Sequence, residues 1–256
     1  MPLIETPGGL FIAFFAGLVA AGINAFAGGG SLVSFPTLIA LGMPGLSANA
    51  TNSVALWPGS FAAAMGFREK LPATKHYLKA LLLPTIVGSI LGAILLVSTS
   101  EKVFGWIVPF LILGATLLLA FQKQIKEAVE SGRISGSPRL GAVLQFFVSI
   151  YGGYFGAGMG IMMLAVMGLF VKGDLHEMNA IKSWLAVVIN FGASVCLVAM
   201  GLVHFAPALA LMAGALIGGY LSARLSLKVP TETLRKVIVA YGALMTVWFF
   251  IRGFLT

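Results

Sequence analysis

The sequence predicts an all-α polytopic membrane protein built as two inverted repeats. Each repeat has three long transmembrane helices plus a glycine-broken pair of short or half helices. Three observations carry this: apolar blocks recur from end to end, the chain matches itself at a fixed offset, and its basic residues gather in short loops.

Of 256 residues, 59% are hydrophobic and 9% are charged, against about a quarter charged in a soluble domain. Tyr77–Val97, Val103–Phe121 and Ser183–Val203 each have the roughly 20 mainly apolar residues that a spanning helix needs. An outer-membrane barrel would show alternation instead. No Lys or Arg precedes Leu10–Ala27, so this segment lacks the charged start of a signal peptide and reads as retained. Cys196 is the only cysteine, which excludes an intrachain disulfide and any CxxC metal or redox site.

Shifting the sequence by 130 positions aligns it with itself without gaps. Gly22, Ala27, Gly28 and Gly30 fall on Gly152, Ala157, Gly158 and Gly160; Asn49 and Ser53 fall on Asn179 and Ser183. The first half divides into apolar pieces at 10–27, 31–42, 51–66, 77–97 and 103–121, and the second at 140–157, 160–171, 183–203, 207–223 and 235–254. The expected organisation is a first membrane repeat (1–121), a cytoplasmic linker (122–139) and a second membrane repeat (140–256). The second piece of each half makes only about 18 Å of helix, too short for a hydrocarbon core of about 30 Å.

Charge sets the orientation. Arg68, Lys70, Lys75 and Lys79 form one cluster, Lys123, Lys126, Arg133 and Arg139 a second, and Arg224, Lys228, Arg235 and Lys236 a third. Short basic loops mark the cytoplasmic face. In the first half the basic loop follows the third piece; in the second it follows the fourth. Equivalent loops then face opposite sides, which requires an odd number of crossings per half and leaves both termini outside.

The breaks Gly28–Gly30 and Gly158–Gly160 carry the functional expectation. Non-helical backbone at membrane depth is tolerated where it is buried or lines a wet cavity, and broken helices in inverted repeats place substrate near the midplane. A glycine turn ahead of a short helix is expected to aim free N–H groups at an anion. The predicted binding set is Asn24, Gly28, Gly29, Gly30, Ser31, Asn49, Asn52, Ser53, Gly158, Gly160, Asn179, Lys182 and Ser183. Asn49 and Asn179 read equally as helix caps. Lys182, whose register partner is the neutral Asn52, stands apart from the basic loops. It reads as an interface anchor, as a partner of Glu177 or Asp174 in the preceding loop, or as a cavity cation. GYFGAGMG (153–160) resembles a dinucleotide fingerprint, but no strand–turn–helix context accompanies it.

At these residues the chain resembles the sulfite exporter TauE/SafE family, also called the 4-toluene sulfonate uptake permeases. The resemblance rests on AGGGSLVSFPTLIALGMPGLSANATNS (27–53), with a degenerate second copy in GAGMGIMMLAVMGLF (156–170) and NAIKS (179–183). It implies export or uptake of a small anion such as sulfite, sulfoacetate or another organosulfonate across the inner membrane of a prokaryote. The expected partners are that anion and the lipid bilayer, with a homodimer possible and no nucleic acid.

An enzyme is not expected. There is no HExxH motif, and the histidines at 76, 176 and 204 are scattered. No cofactor or metal is expected either. The remaining alternatives are an anion channel and a non-transporting subunit of an assembly system.

Overall fold

The computed structural model describes residues 3–26, 28–72, 74–131, 136–225 and 231–255. Ala27, Arg133 and Lys228, used above in the register and charge arguments, lie outside them. The described residues form helices and no strands. The first half contains α1 (Pro7–Phe26), α2 (Ser31–Ala40), α3 (Gly45–Gly66), α4 (Lys75–Val97) and α5 (Glu101–Ala120). After α6 (Gln122–Glu130), the second half contains α7 (Pro138–Tyr154), α8 (Met159–Met167), α9 (Leu175–Ala199), α10 (Phe205–Leu225) and α11 (Thr231–Leu255).

Polar side chains fix several helix starts. Ser100 accepts from Val103 N (3.3 Å) to open α5, and Ser137, followed by Pro138, accepts from Leu140 N (3.2 Å) to open α7. Asp174 accepts from Glu177 N (2.8 Å) while the Glu177 carboxylate accepts from Asp174 N (2.9 Å). This reciprocal capping box satisfies donors that a helix start leaves open. It also holds the Asp174 carboxyl below the ordinary carboxylate range, chiefly through the Glu177 backbone bond.

Two helix starts and the linker differ from expectation. Helix α3 starts at Gly45 rather than 51, and α9 at Leu175 rather than 183. Asn49 and Asn179 therefore lie inside helices; the cap positions belong to Pro44 and Asp174. Glu177 lies in the first turn of α9 rather than in a loop. The polar linker carries its own helix, α6, whose Val129 is buried while Lys123 and Glu127 form an exposed pair at 3.9 Å.

The short helices fold back. Ile4 N donates to Leu41 O (3.1 Å), which brings the end of α2 beside the start of α1. In the same way Gly136 N donates to Leu169 O (2.8 Å), joining the end of α8 to the start of α7. Each broken pair thus returns to the end of the bundle from which it set out. Lys172 N donates to Tyr77 Oη (3.3 Å), and Arg235 Nη1 to Ala120 O (2.6 Å). Those contacts gather the chain around Tyr77, Ala120, Gly136, Lys172 and Arg235 at one end. Gly45 N and Leu46 N donate to the Glu101 carboxylate, and His204 N to Thr51 Oγ1, at the other.

The principal helix contacts pair α1 with α10 and α4 with α7, while α3 and α9 touch each other at the centre and α5 lies against α11. Close approach depends on small residues. A methyl group on Gly218 would overlap Leu18 O, and one on Gly92 would overlap Ile150 O.

Among the described residues, five helices are long and apolar enough to cross a membrane: Pro7–Ala25, Lys75–Val97, Glu101–Ala120, Leu175–Ala199 and Phe205–Ser222. Side chains such as Phe11, Leu83, Phe110, Phe147 and Leu209 point outward, as lipid-facing positions must. Helix α3 is the opposite case. Asn49, Thr51, Asn52, Ser53 and Ser60 are all buried inside the bundle, where polar groups can find partners that lipid would deny them.

Candidate anion site at the crossing of the breaks

The two glycine breaks touch at the centre of the bundle. Gly28 and Gly158 have φ of +75° and +78°, a left-handed conformation that glycine adopts without penalty. Gly158 N donates to Gly28 O (3.0 Å), tying one break to the other. A methyl on Gly28 would stand 2.5 Å from Gly160 Cα, and one on Gly160 would stand 2.7 Å from Gly28 Cα. No side chain fits at either position.

A narrow cavity of about 20 Å³ lies beside the crossing, enough for about one water. Its polar lining comes from Asn24 of α1, Ser60 of α3 and Lys182 and Ser183 of α9, with Gly28 and Gly160 as backbone walls. Five predicted residues therefore share one cavity. The Lys182 side chain is 2% exposed, and its Nζ donates to Ala25 O (3.2 Å) and Asn24 O (3.4 Å). Those carbonyls end α1, where the helix dipole is negative.

This geometry decides between readings of Lys182. Its Nζ is bonded to carbonyls of α1, not to Asp174 or Glu177, whose carboxylates serve the capping box. It is not an interface anchor, because it is buried against the cavity.

The other predicted residues are distributed around the crossing. Asn52 Nδ2 donates to Ser31 Oγ (3.2 Å); Asn49 Nδ2 donates to Tyr154 O (2.7 Å), at the end of α7. Ser53 is buried on the same helix. Asn179 is half-buried, and its carbonyl accepts from Ser183 Oγ at 2.8 Å. The side-chain oxygens of Asn49, Asn52 and Asn179 are buried with no hydrogen-bond partner. Gly29 packs against Leu119, and Gly158 against Ala115 and Leu118 of α5.

The expectation of free glycine N–H donors is corrected here. Gly28 N donates to Ile23 O (3.2 Å), Gly30 N to Asn24 Oδ1 (2.7 Å) and Gly158 N to Gly28 O. These donors are consumed in building the crossing. The full charge at the site comes from Lys182 instead.

Sequence reasoning missed Ser60. The 130-position shift carries it onto Asn190, also buried, so a polar pair in register was the available signal. It also missed an aromatic group at the far end of the bundle. Phe35 of α2 stacks on Phe249 (5.7 Å) and meets Phe155 beside the second break edge-on at 5.3 Å. Phe35, Phe104 and Phe249 line a cavity of about 570 Å³ together with Glu101 and Lys102.

The profile of the sulfite exporter TauE/SafE family matches residues 13–249. The chain belongs to this family. A relative in Haemophilus influenzae, named a probable membrane transporter protein, is 27% identical over 93% of this chain and 92% of its own length. The probable membrane transporter protein YfcA of Escherichia coli K12 is 27% identical over 93% and 88%. A probable membrane transporter protein ORF9 of a Sinorhizobium species is 26% identical over 80% and 76%. No solved structure matches. The chain is thus a multi-pass membrane transporter of the TauE/SafE family, in which both glycine breaks fall inside the matched region.

Proposed function

We propose that the chain is a secondary transporter, working as an exporter, of a small sulfur-containing oxyanion such as sulfite, sulfoacetate or another organosulfonate. The observation that carries this is the Lys182 side chain, a group able to take a full positive charge, buried in a cavity where two helix breaks cross. Among the described residues, the cavity lining has no carboxylate. The starts of α2 and α8 adjoin the same crossing, and their positive dipole ends favour an anion there.

The cavity holds about one water, so the crossing must open for an oxyanion to enter. A site of this kind suits a carrier that opens to one side at a time better than a standing pore. Movement of one half against the other, as inverted repeats, is the natural way to open it. The pairings α1–α10 with α4–α7 support that reading, because they exchange under the 130-position shift. In this reading the basic end is cytoplasmic, and both termini lie outside the inner membrane. A reporter at the C-terminus and one near Lys123 should then fall on opposite sides.

The test is purified protein screened by thermal shift and proteoliposome flux against sulfite, sulfate, thiosulfate, sulfoacetate and taurine. A ligand at a hundred times its Kd adds about 2.7 kcal/mol to the folded state. Stabilisation by a sulfur oxyanion together with its flux supports the transporter. Binding without flux favours a non-transporting subunit, and the absence of both rejects the reading.

A further inference from the structure

This inference rests on the transport reading above and concerns what moves with the anion. Lys182 Nζ has two acceptors, the carbonyls of Asn24 and Ala25. A neutral amine has two N–H groups and an ammonium has three. The site without an anion is therefore saturated by the amine, and the third N–H is useful only when an acceptor enters.

Among the described residues no carboxylate is bound to Lys182: the α1 carbonyls offer only partial negative charge, and Glu69 stands exposed at the basic end. Helices α1, α3 and α8, which wall the cavity, contribute Asn24, Ser60, Met159 and Met163 beside the lysine. On α9, His176 and Glu177 lie more than a turn away, and the Glu177 carboxylate is bound to Asp174 N. From α7, Tyr151 uses its hydroxyl on Ala157 O. Arg68 and Lys70 stand exposed at the basic end. From α6, Lys126 is the charge that reaches Lys182, and it has the same sign. An uncompensated ammonium at membrane depth is costly, and an anion beside it removes that cost.

We propose that Lys182 carries a proton with each transported anion. The amine, a proton and the anion combine to an ammonium–anion pair; release on the other side returns the amine, the proton and the anion. One N–H bond forms and the same bond breaks, with no change of oxidation state. Only the loaded pair and the empty amine cross without an unpaired charge at Lys182, so the proton and the anion move together.

The experiment uses the full chain in proteoliposomes, a sulfoacetate gradient and a trapped pH dye. Wild-type protein should move protons in the direction of the sulfoacetate, in a fixed ratio, and a pH gradient alone should drive sulfoacetate uphill. Lys182→Arg keeps a charge that no accessible pH removes. Net sulfoacetate uptake should fall by about tenfold or more, and any flux that remains should carry no protons. Lys182→Gln should lose both exchange and net uptake. Wild-type sulfoacetate flux without protons overturns the inference and leaves the transporter standing. So does a Lys182→Arg variant with the wild-type proton ratio. If Lys182→Arg does not fold, the wild-type ratio and its dependence on the pH gradient still decide the matter. No sulfoacetate flux in wild-type protein removes the transport reading and this inference together.

Discussion

The two helix breaks share a backbone and differ in chemistry. Each puts a positive-φ glycine ahead of a short helix that folds back beside its partner. Yet the last carbonyls of α1 meet the ionisable Nζ of Lys182, whereas the last carbonyl of α7 meets the neutral amide of Asn49. The first break is tied down by Asn24, which accepts from Gly30 N; in the second, Tyr151 reaches over to Ala157 O. Helix α2 carries Ser31, Ser34 and Pro36, and α8 carries methionines. The lesson is that close contact constrains the glycines on both sides, while the charge has to be present only once.

The largest effect should come from filling the crossing itself. Gly28→Val combines a strained left-handed residue with a collision against Gly160, so it should cost several kcal/mol, roughly 3 or more. Loss of monodisperse protein on detergent size exclusion is the expected outcome. A well-folded Gly28→Val protein would show that the breaks need not touch.

Removing the charge should separate binding from folding. Lys182→Met removes the donor to the Asn24 and Ala25 carbonyls, a loss offset by no longer burying an ionisable group. The melting temperature should move little while sulfur-oxyanion binding weakens by about tenfold or more. If binding is unchanged, the difference between the two breaks has no electrostatic meaning.

Asn49→Ala should cost about 1–3 kcal/mol, because it leaves Tyr154 O buried without its donor. Asn179→Ala should cost less, since Asn179 is only half-buried. Equal melting temperatures for the two variants would erase the asymmetry between the halves.

The α9 capping box gives a smaller, pH-dependent effect. Asp174→Ala should cost about 0.5–2 kcal/mol near neutral pH. Because the native carboxyl is held below its ordinary range, its contribution is present above the unfolded pKa of about 3.9. It is lost as pH falls through the lower native value. Wild type and variant should therefore converge in strong acid, and a constant gap across pH would rule out the carboxylate as the cause.

Much of the fold was legible in the sequence because it is written in length and breakage. The long apolar runs gave α4 and α5 within a few residues, and Gly28–Gly30 and Gly158–Gly160 marked the folded-back pairs. Polarity misled where it was buried. Asn49, Asn52 and Lys182 read as marks of helix starts because an isolated span would not carry them; the other half of the chain encloses them here. Gly30 read as an open donor because nothing local shows that Asn24, six residues earlier, bends back to it. In the candidate site, the shared register pointed to the right neighbourhood, but which side chains reach the cavity depended on helix rotation.

The crossing also has a consequence for how the chain is made. Asn49 finds its carbonyl 105 residues later in the sequence, and the Ala25 carbonyl waits for Lys182, 157 residues on. Whatever inserts α3 must shelter its amides until α7 has been synthesised, because lipid offers them no partner. Helix α9 enters a bilayer in which its acceptors already exist. Translation order thus gives the first-made half the longer exposure, and a ribosome pause between α5 and α7 would endanger it most.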